Sequence, residues 1–350
     1  MPTPPARPPF LRLLVGGGLM GLANLVPGIS GGTMLVAAGV YRRFVDAVSD
    51  ATRLRLSAAT IVTLALIVLG AGSAIALGAL PVSYGLAEAR WAMYALFIGL
   101  TIGGVPSLYA LVRPLSPRLV AFALLGLAGM LAVVAAQEMG AGGGGGGASG
   151  GGGGGGWLML VVAGAAGAAA MVLPGVSGAY LLLLLGQYEA VVTAIKDLSR
   201  GDASALATVV PIGAGVLVGI AGVSNLLRWL LHKYEKATLA VLLGLLLGAP
   251  AGLYPFREAV PPAAGEVIKG QILTQETAAE VEPKDWPTRA FMPSLGQVAA
   301  SLGLVVVGGA ATMGVARLGR RADAGGRRAD AGGGRAGAEG RAPPAAEAGD

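Results

Sequence analysis

The chain has no cysteine, a single histidine (His232) and few charged residues, 13% of 350. Without thiols there is neither a disulfide framework nor a thiolate nucleophile. One imidazole supports no zinc site and only one conceivable Ser-His-Asp arrangement. Most enzyme chemistry is thereby removed, and no cofactor is expected. What abounds is apolar: 54% of residues are hydrophobic and the mean hydropathy is +0.71. That exceeds what a soluble core needs and fits a polytopic membrane protein. The excess of 25 Lys and Arg over 19 acidic residues then reads as cytoplasmic loops rather than a nucleic-acid surface.

Apolar runs alternate with polar punctuation. Residues 1–9 form a Pro-rich N-terminal tail with no small-residue cleavage site after a clean apolar region, so the first run, Phe10 to Val26, is expected to be retained. It stops at Pro27-Gly28, and a second apolar stretch follows from Thr33 to Val48. Three runs long enough to span come next: Ser57–Leu80, Trp91–Val112 and Arg118–Ala136. Residues 138–156 are dominated by glycine, a flexible linker that divides the chain. Beyond it, Trp157–Leu173 stops at Pro174-Gly175 and resumes as Ala179–Ile195. Further spans are expected near Ala205–Leu231, Ala237–Leu253 and Ser294–Leu318, the last after a polar outer loop over 254–293. A disordered tail is expected over 319–350, where no apolar period survives.

The halves repeat. Placing Pro27 over Pro174 also superimposes Ser30 on Ser177, Gly31 on Gly178, Gly39 on Gly186 and Tyr41 on Tyr188. A second landmark follows at nearly the same spacing, where Gly99 and Gly103 leading to Tyr109 match Gly244 and Gly248 leading to Tyr254. The expected fold is therefore an all-α polytopic membrane protein built as repeat 1 (10–137) and repeat 2 (157–318). Each repeat opens with a broken-helix hairpin (10–48 and 157–195) followed by three spans.

Arginine placement orients the repeats. If the first hairpin is re-entrant on the cytoplasmic side, Arg7, Arg12, Arg42, Arg43, Arg53 and Arg55 share that side, and Arg113, Arg118, Arg228, Lys233 and Lys236 join them. Three crossings then deliver the linker outside, so the second hairpin enters from the opposite face and the repeats are inverted. Each arm, ~24 Å for roughly 16 residues, passes the midplane without comfortably crossing. The residues alone leave re-entrant hairpins and short spans both open.

Proline has no N–H and glycine loosens the next turn, so a helix restarting after Pro-Gly carries unpaired N–H groups and the positive end of its dipole. Ser30, Gly31, Gly32 and Thr33 occupy these positions in the first copy, and Ser177, Gly178, Ala179 and Tyr180 in the second. The serines sit where an N-cap hydroxyl would, and glycine admits close approach of a ligand to the backbone. Two tips entering from opposite faces would meet near mid-bilayer and favour an anion, phosphate above all. The plainer alternative is that Pro27, Gly28, Pro174 and Gly175 only kink and pack a helix. Asn24, one turn before Pro27, could bond freed carbonyls or touch a ligand. Arg42 and Glu189, near the hairpin ends, could attract a headgroup, couple a proton or simply anchor at the interface. Tyr41, Tyr188, Trp91 and Trp157 read as interface-belt residues, and His232 as a cytoplasmic-loop residue.

The stretch Gly21 to Thr33 (GLANLVPGISGGT) followed by Gly39-Val40-Tyr41, with Met171 to Gly178 (MVLPGVSG) followed by Leu185-Gly186-Gln187-Tyr188-Glu189, resembles the bacterial and archaeal polyprenyl-phosphate transporter family (PopT-like). The resemblance covers about residues 10–315. It implies a transporter of the cytoplasmic (inner) membrane that returns undecaprenyl phosphate from the outer to the inner leaflet for reuse in cell-envelope glycan synthesis. Its partners would be that lipid and the surrounding membrane lipids, with no nucleic acid. The family pattern has an acidic residue after the first motif's Tyr, where this chain carries Arg42; Glu189 keeps it in the second copy. Two readings compete. One is a channel or carrier for a small inorganic anion through the same helix ends. The other is a lipid-phosphate phosphatase, which would need a His nucleophile or metal ligands that His232 alone does not supply.

Overall fold

The computed structural model describes residues 10–25, 30–139 and 156–336, apart from scattered positions between 264 and 287. The N-terminal tail, the Pro27-Gly28 break, all but the ends of the Gly linker and the tail from 337 lie outside the described residues. The chain opens with α1 (Phe10–Asn24), followed across the first break by α2 (Gly31–Ala37) and α3 (Tyr41–Thr52). Next come α4 (Ala58–Glu88), α5 (Arg90–Ile102) continued by α6 (Val105–Val112), and α7 (Pro117–Glu138). The same order then returns. After α8 (Gly156–Val172) and the second break come α9 (Gly178–Leu184), α10 (Tyr188–Ser199), α11 (Leu206–Lys233), α12 (Glu235–Gly248) with a 3-10 turn to Leu253, and α13 (Leu295–Ala336). Among the described residues, six helical segments are long and apolar enough to cross a membrane, and they coincide with the six expected spans. The helices α1 and α8 are apolar but shorter.

Each return arm, expected above as one run, is two helices. The cause is a glycine in the left-handed conformation: Gly39 at φ +72° and Gly186 at φ +66°. Around Gly39 the Val40 and Gly39 amides donate back to the Leu35 and Val36 carbonyls, and around Gly186 the Gln187 and Gly186 amides donate to Leu182 and Leu183. These are the paired bonds that end a helix on a C′ glycine. The chain then turns into α3 and α10. In α3, Phe44, Val45 and Ala47 are buried, while Arg42 on the same helix is exposed.

Helix pairing is reciprocal. Within the halves, α1 packs along α4 and α8 along α11; between them, α5 packs on α13 and α12 on α7. All four contacts run over glycine. A Cβ on Gly17 would stand 2.2 Å from the Ile67 carbonyl oxygen, and one on Gly215 2.0 Å from that of Val161. The landmark glycines do the same between halves, Gly99 against the Val305 carbonyl oxygen at 2.2 Å and Gly244 against that of Ala123 at 1.9 Å. Lipid is as apolar as leucine, so close backbone approach rather than water exclusion holds such pairs.

The core gathers around α2, whose residues are all buried, with Leu13, Leu108, Leu242 and Leu246 enclosed beside it. By contrast, the residues of α9 whose burial is described are half-buried or exposed. Outward faces carry exposed apolar residues such as Leu77, Leu80 and Val306, as a lipid surround requires.

Two departures from the sequence reading lie at the periphery. The outer loop carries short antiparallel ribbons, β1 (Arg257–Ala259) with β4 (Thr288–Ala290) and β2 (Val267–Ile268) with β3 (Gln271–Ile272), so the fold is predominantly rather than wholly α. The last helix also continues to Ala336, where a disordered tail is expected from 319. The extension carries six glycines among its Ala and Arg, and it continues a helix already nucleated by the span before it.

Substituting Val for Gly17 or Gly244 should lower thermal stability in detergent, by at least roughly 1–3 kcal/mol of overpacking. Gly72→Ala, whose Cβ meets nothing within 4 Å, should leave stability unchanged or slightly raised. Equal melting temperatures for the three variants would contradict the glycine contacts.

Candidate functional site

The tip that follows the first break touches the second break. Pro174 ends α8 and leaves the last carbonyls of that helix without donors from a following turn. The first half supplies them. Ser30 Oγ donates to the Leu173 carbonyl oxygen at 2.8 Å, and Tyr41 Oη donates to that of Val172 at 3.0 Å. In return, the Gly175 N–H donates to Thr33 Oγ1 at 2.8 Å. A Cβ on Gly32 would lie 3.1 Å from the Val172 carbonyl oxygen, a tight contact that the bare glycine avoids.

Four of the residues singled out by sequence, Ser30, Gly32, Thr33 and Gly175, take part in this contact. All four are buried, as are Gly31, Pro174 and Ser177 near them in the chain, while Gly178 and Ala179 are half-buried. The side chain of Tyr180 lies outside the described residues, as do Pro27 and Gly28. Both serines occupy N-cap positions with extended backbone, Ser30 at φ −93°, ψ 124° and Ser177 at φ −88°, ψ 128°. Neither hydroxyl caps its helix. The Thr33 amide, expected free, donates to the Ser30 carbonyl oxygen at 3.2 Å. Asn24 is exposed and backs the first tip, with its Oδ1 3.0 Å from where a Cβ on Gly31 would stand.

Arg42 and Glu189 stand apart from the tips. Arg42 donates to Glu235 Oε1 at 2.6 Å and to the Leu231 carbonyl oxygen at 3.3 Å, while Glu189 is exposed in the first turn of α10. Arg42 thereby begins a polar seam between α3 of one half and α11 and α12 of the other. Along it, Arg228 lies 3.5 Å from Asp46 and pairs with Asp50, and Asn225 Oδ1 accepts from Ser49 at 2.8 Å. Among the described residues, α10 makes no comparable contact with α4. Beside the seam lies a cavity of about 320 Å³, lined by Arg12, Tyr41, Arg42 and Glu235 among apolar residues.

Tyr41 corrects the sequence reading most clearly. It is not an interface-belt residue: it is 5% exposed, and its hydroxyl reaches a carbonyl freed by the second break. The available signal was its fixed distance from the break in both repeats. Arg12 and Glu235 were missed because each reads as an ordinary charge at a helix start.

Two successive sets of broken helix and three spans, joined where the first tip meets the second break, define a multi-pass membrane protein of transporter type. Residues 20–266 match the undecaprenyl phosphate translocase-like family, and the chain belongs to that family, one of transporters and not of enzymes. A relative from Vibrio cholerae named polyprenyl-phosphate transporter is 26% identical over 317 residues, covering 84% of this chain and 96% of the relative. Another of the same name, from Staphylococcus aureus, is 27% identical over 244 residues, covering 69% and 85%. No solved structure matches the chain.

Thr33→Val keeps the side-chain shape and deletes the acceptor for the Gly175 N–H. Stability should fall by about 1–3 kcal/mol, read as a lower melting temperature in detergent, and Thr33→Ser should recover most of it. An unchanged melting temperature for Thr33→Val would remove this bond from the account.

Proposed function

We propose that the chain is a flippase that returns undecaprenyl phosphate, or a related polyprenyl phosphate, from the outer to the inner leaflet of the cytoplasmic membrane. The lipid is thereby recycled for cell-envelope glycan synthesis. One observation carries the proposal: in a chain of this family, the tip after the first break meets the second break in hydrogen-bonded contact between the halves. The phosphate would be held by Ser30, Gly31, Gly32 and Thr33 together with Ser177, Gly178, Ala179 and Tyr180. It would replace the bonds that Ser30 and Thr33 now make to Leu173 and Gly175, while the prenyl tail stays in lipid. No covalent step is needed.

Parity of crossings supports inverted repeats whose hairpins begin and end on one side. Four spans separate the end of α3 from the end of α11. Asp46 and Asp50 can therefore meet Arg228 only if the second hairpin enters and leaves on one side. Arg12 and Arg42 line one cavity, which favours the same for the first hairpin. Three spans between the hairpins then bring them in from opposite faces. The Lys and Arg excess makes the Arg12 face, and the N-terminus with it, cytoplasmic.

The repeat supplies a counterpart to the Arg42–Glu235 pair. Arg42 follows Gly39 and Tyr41 as Glu189 follows Gly186 and Tyr188, and Glu235 opens α12 as Arg90 opens α5. The residues before those two helices match in conformation, Ala89 at φ −143°, ψ 56° and Tyr234 at φ −131°, ψ 48°. The charges are reversed, and among the described residues no ion pair joins Arg90 to Glu189. Transport would exchange one pair for the other as the site opens to alternate leaflets.

In liposomes, the purified protein should accelerate leaflet exchange of labelled undecaprenyl phosphate, and Ser30→Ala and Ser177→Ala should each slow it by about tenfold or more. Exchange no faster than in empty liposomes would overturn the lipid assignment. Passage of inorganic phosphate alone would favour a small-anion carrier instead.

A further inference from the structure

We propose that the cavity lined by Arg12, Tyr41, Arg42 and Glu235 is a second phosphate site, a mouth station for the headgroup of a long-chain lipid phosphomonoester. The inference rests on the transporter reading above and adds a station at the far end of α2 from the first tip, where Val36 and Gly39 line the cavity about 9 Å from Ser30 at 1.5 Å per residue.

Its size and chemistry are those of a built site. About 320 Å³ falls within the range of small-ligand pockets and exceeds what a phosphate group alone fills. Two guanidinium groups reach it from separate helix starts, Arg12 in the first turn of α1 and Arg42 in the first turn of α3. Arginine offers planar, forked donors that match phosphate oxygens. The left-handed turn that ends α2 lies beside Arg12, whose Nη2 is 3.6 Å from where a Cβ on Gly39 would stand. Leu108 and Leu239 form buried walls, while Leu111 at the rim is 59% exposed. A phosphate held by the arginines could therefore run its first carbons along these leucines and out to lipid.

Charge explains why the station would do more than bind. The lining carries two arginines and one carboxylate, Glu235, and a phosphomonoester carries about −1.5 to −2 at neutral pH. An arriving phosphate competes with Glu235 for Arg42, which is half exposed and already divides its donors between Glu235 and the Leu231 carbonyl. Displacing the carboxylate releases α12 of the second half from α3 of the first. The cavity also communicates with the tips, since Tyr41 lines it and holds the Val172 carbonyl beside the second break. Occupancy of the mouth thus removes one link of the seam, Arg42–Glu235, and leaves those of Arg228 and Asn225 in place.

The test is binding of undecaprenyl phosphate to the purified full chain in detergent. Arg12→Gln and Arg42→Gln should each weaken binding about tenfold, and Glu235→Gln should tighten it severalfold by freeing Arg42. Arg43→Gln, on the same helix but off the cavity, should bind as wild type. Melting temperatures and the charge-keeping Arg12→Lys and Arg42→Lys variants separate lost binding from lost folding. The opposite signs are decisive. If Arg42→Gln and Glu235→Gln weaken binding alike, Arg42 only braces α12 and the proposal is overturned. If wild type binds and both glutamine variants of the arginines bind equally well, the mouth station falls while the transporter reading stands. Absence of any binding by wild type overturns both. Inorganic phosphate should compete only at far higher concentration; equal affinity would give the cavity to a free anion and overturn the lipid assignment.

Discussion

A helix broken inside a bilayer frees backbone groups where no water can satisfy them, and this constraint organises the molecule. The second half breaks its opening helix at Pro174-Gly175, and that break is completed by the first half. The carbonyls of Val172 and Leu173 are taken by Tyr41 and Ser30, and the Gly175 amide by Thr33. Such bonds form only if the first tip is driven to the centre of the protein. That accounts for the complete burial of α2 and for the gathering of the largest core leucines around it.

Glycine makes that geometry reachable. Close approach of backbones pairs α1 with α4 and α8 with α11 inside each half, and repeats between the halves through Gly99 and Gly244. The second span of each half thus lies on the last span of the other, so neither half can be removed without exposing a glycine face cut for its partner. Against this reciprocal frame, the asymmetry of the hairpins stands out. One tip helix is buried and its following helix is sewn to the other half by Asp46, Asp50 and Arg228; the other is half-buried. A two-fold frame with one side sewn is what a protein that alternates between two faces would present.

Much of this was legible in the chain. Composition gave the class, hydropathy located the six spans, and the recurrence of Pro-Gly-x-Ser-Gly located both breaks. Those features are local or periodic. The partners of Ser30, Thr33 and Tyr41 were not legible because the groups they bond lie 131 to 143 residues away, and nothing in a hydroxyl's neighbours names a distant carbonyl. The split return arm is an intermediate case. Gly39 and Gly186 carried the mark of a helix stop, but the apolar residues on either side read as one continuous run. Arg42 shows a further limit: its position near an interface was readable, its choice of Glu235 in the other half was not.

Exchange of the Arg42–Glu235 pair for an Arg90–Glu189 pair is the central claim about motion, and the natural absence of cysteine makes it directly measurable. Two double variants, Arg42→Cys with Glu235→Cys and Arg90→Cys with Glu189→Cys, would be treated in membranes with a thiol-specific bifunctional cross-linker of ion-pair reach. The account predicts that both pairs cross-link, and that each cross-link alone arrests leaflet exchange of polyprenyl phosphate. If the second pair never cross-links while the first does, or if exchange continues with the first pair fully joined, the alternation of the two halves is contradicted.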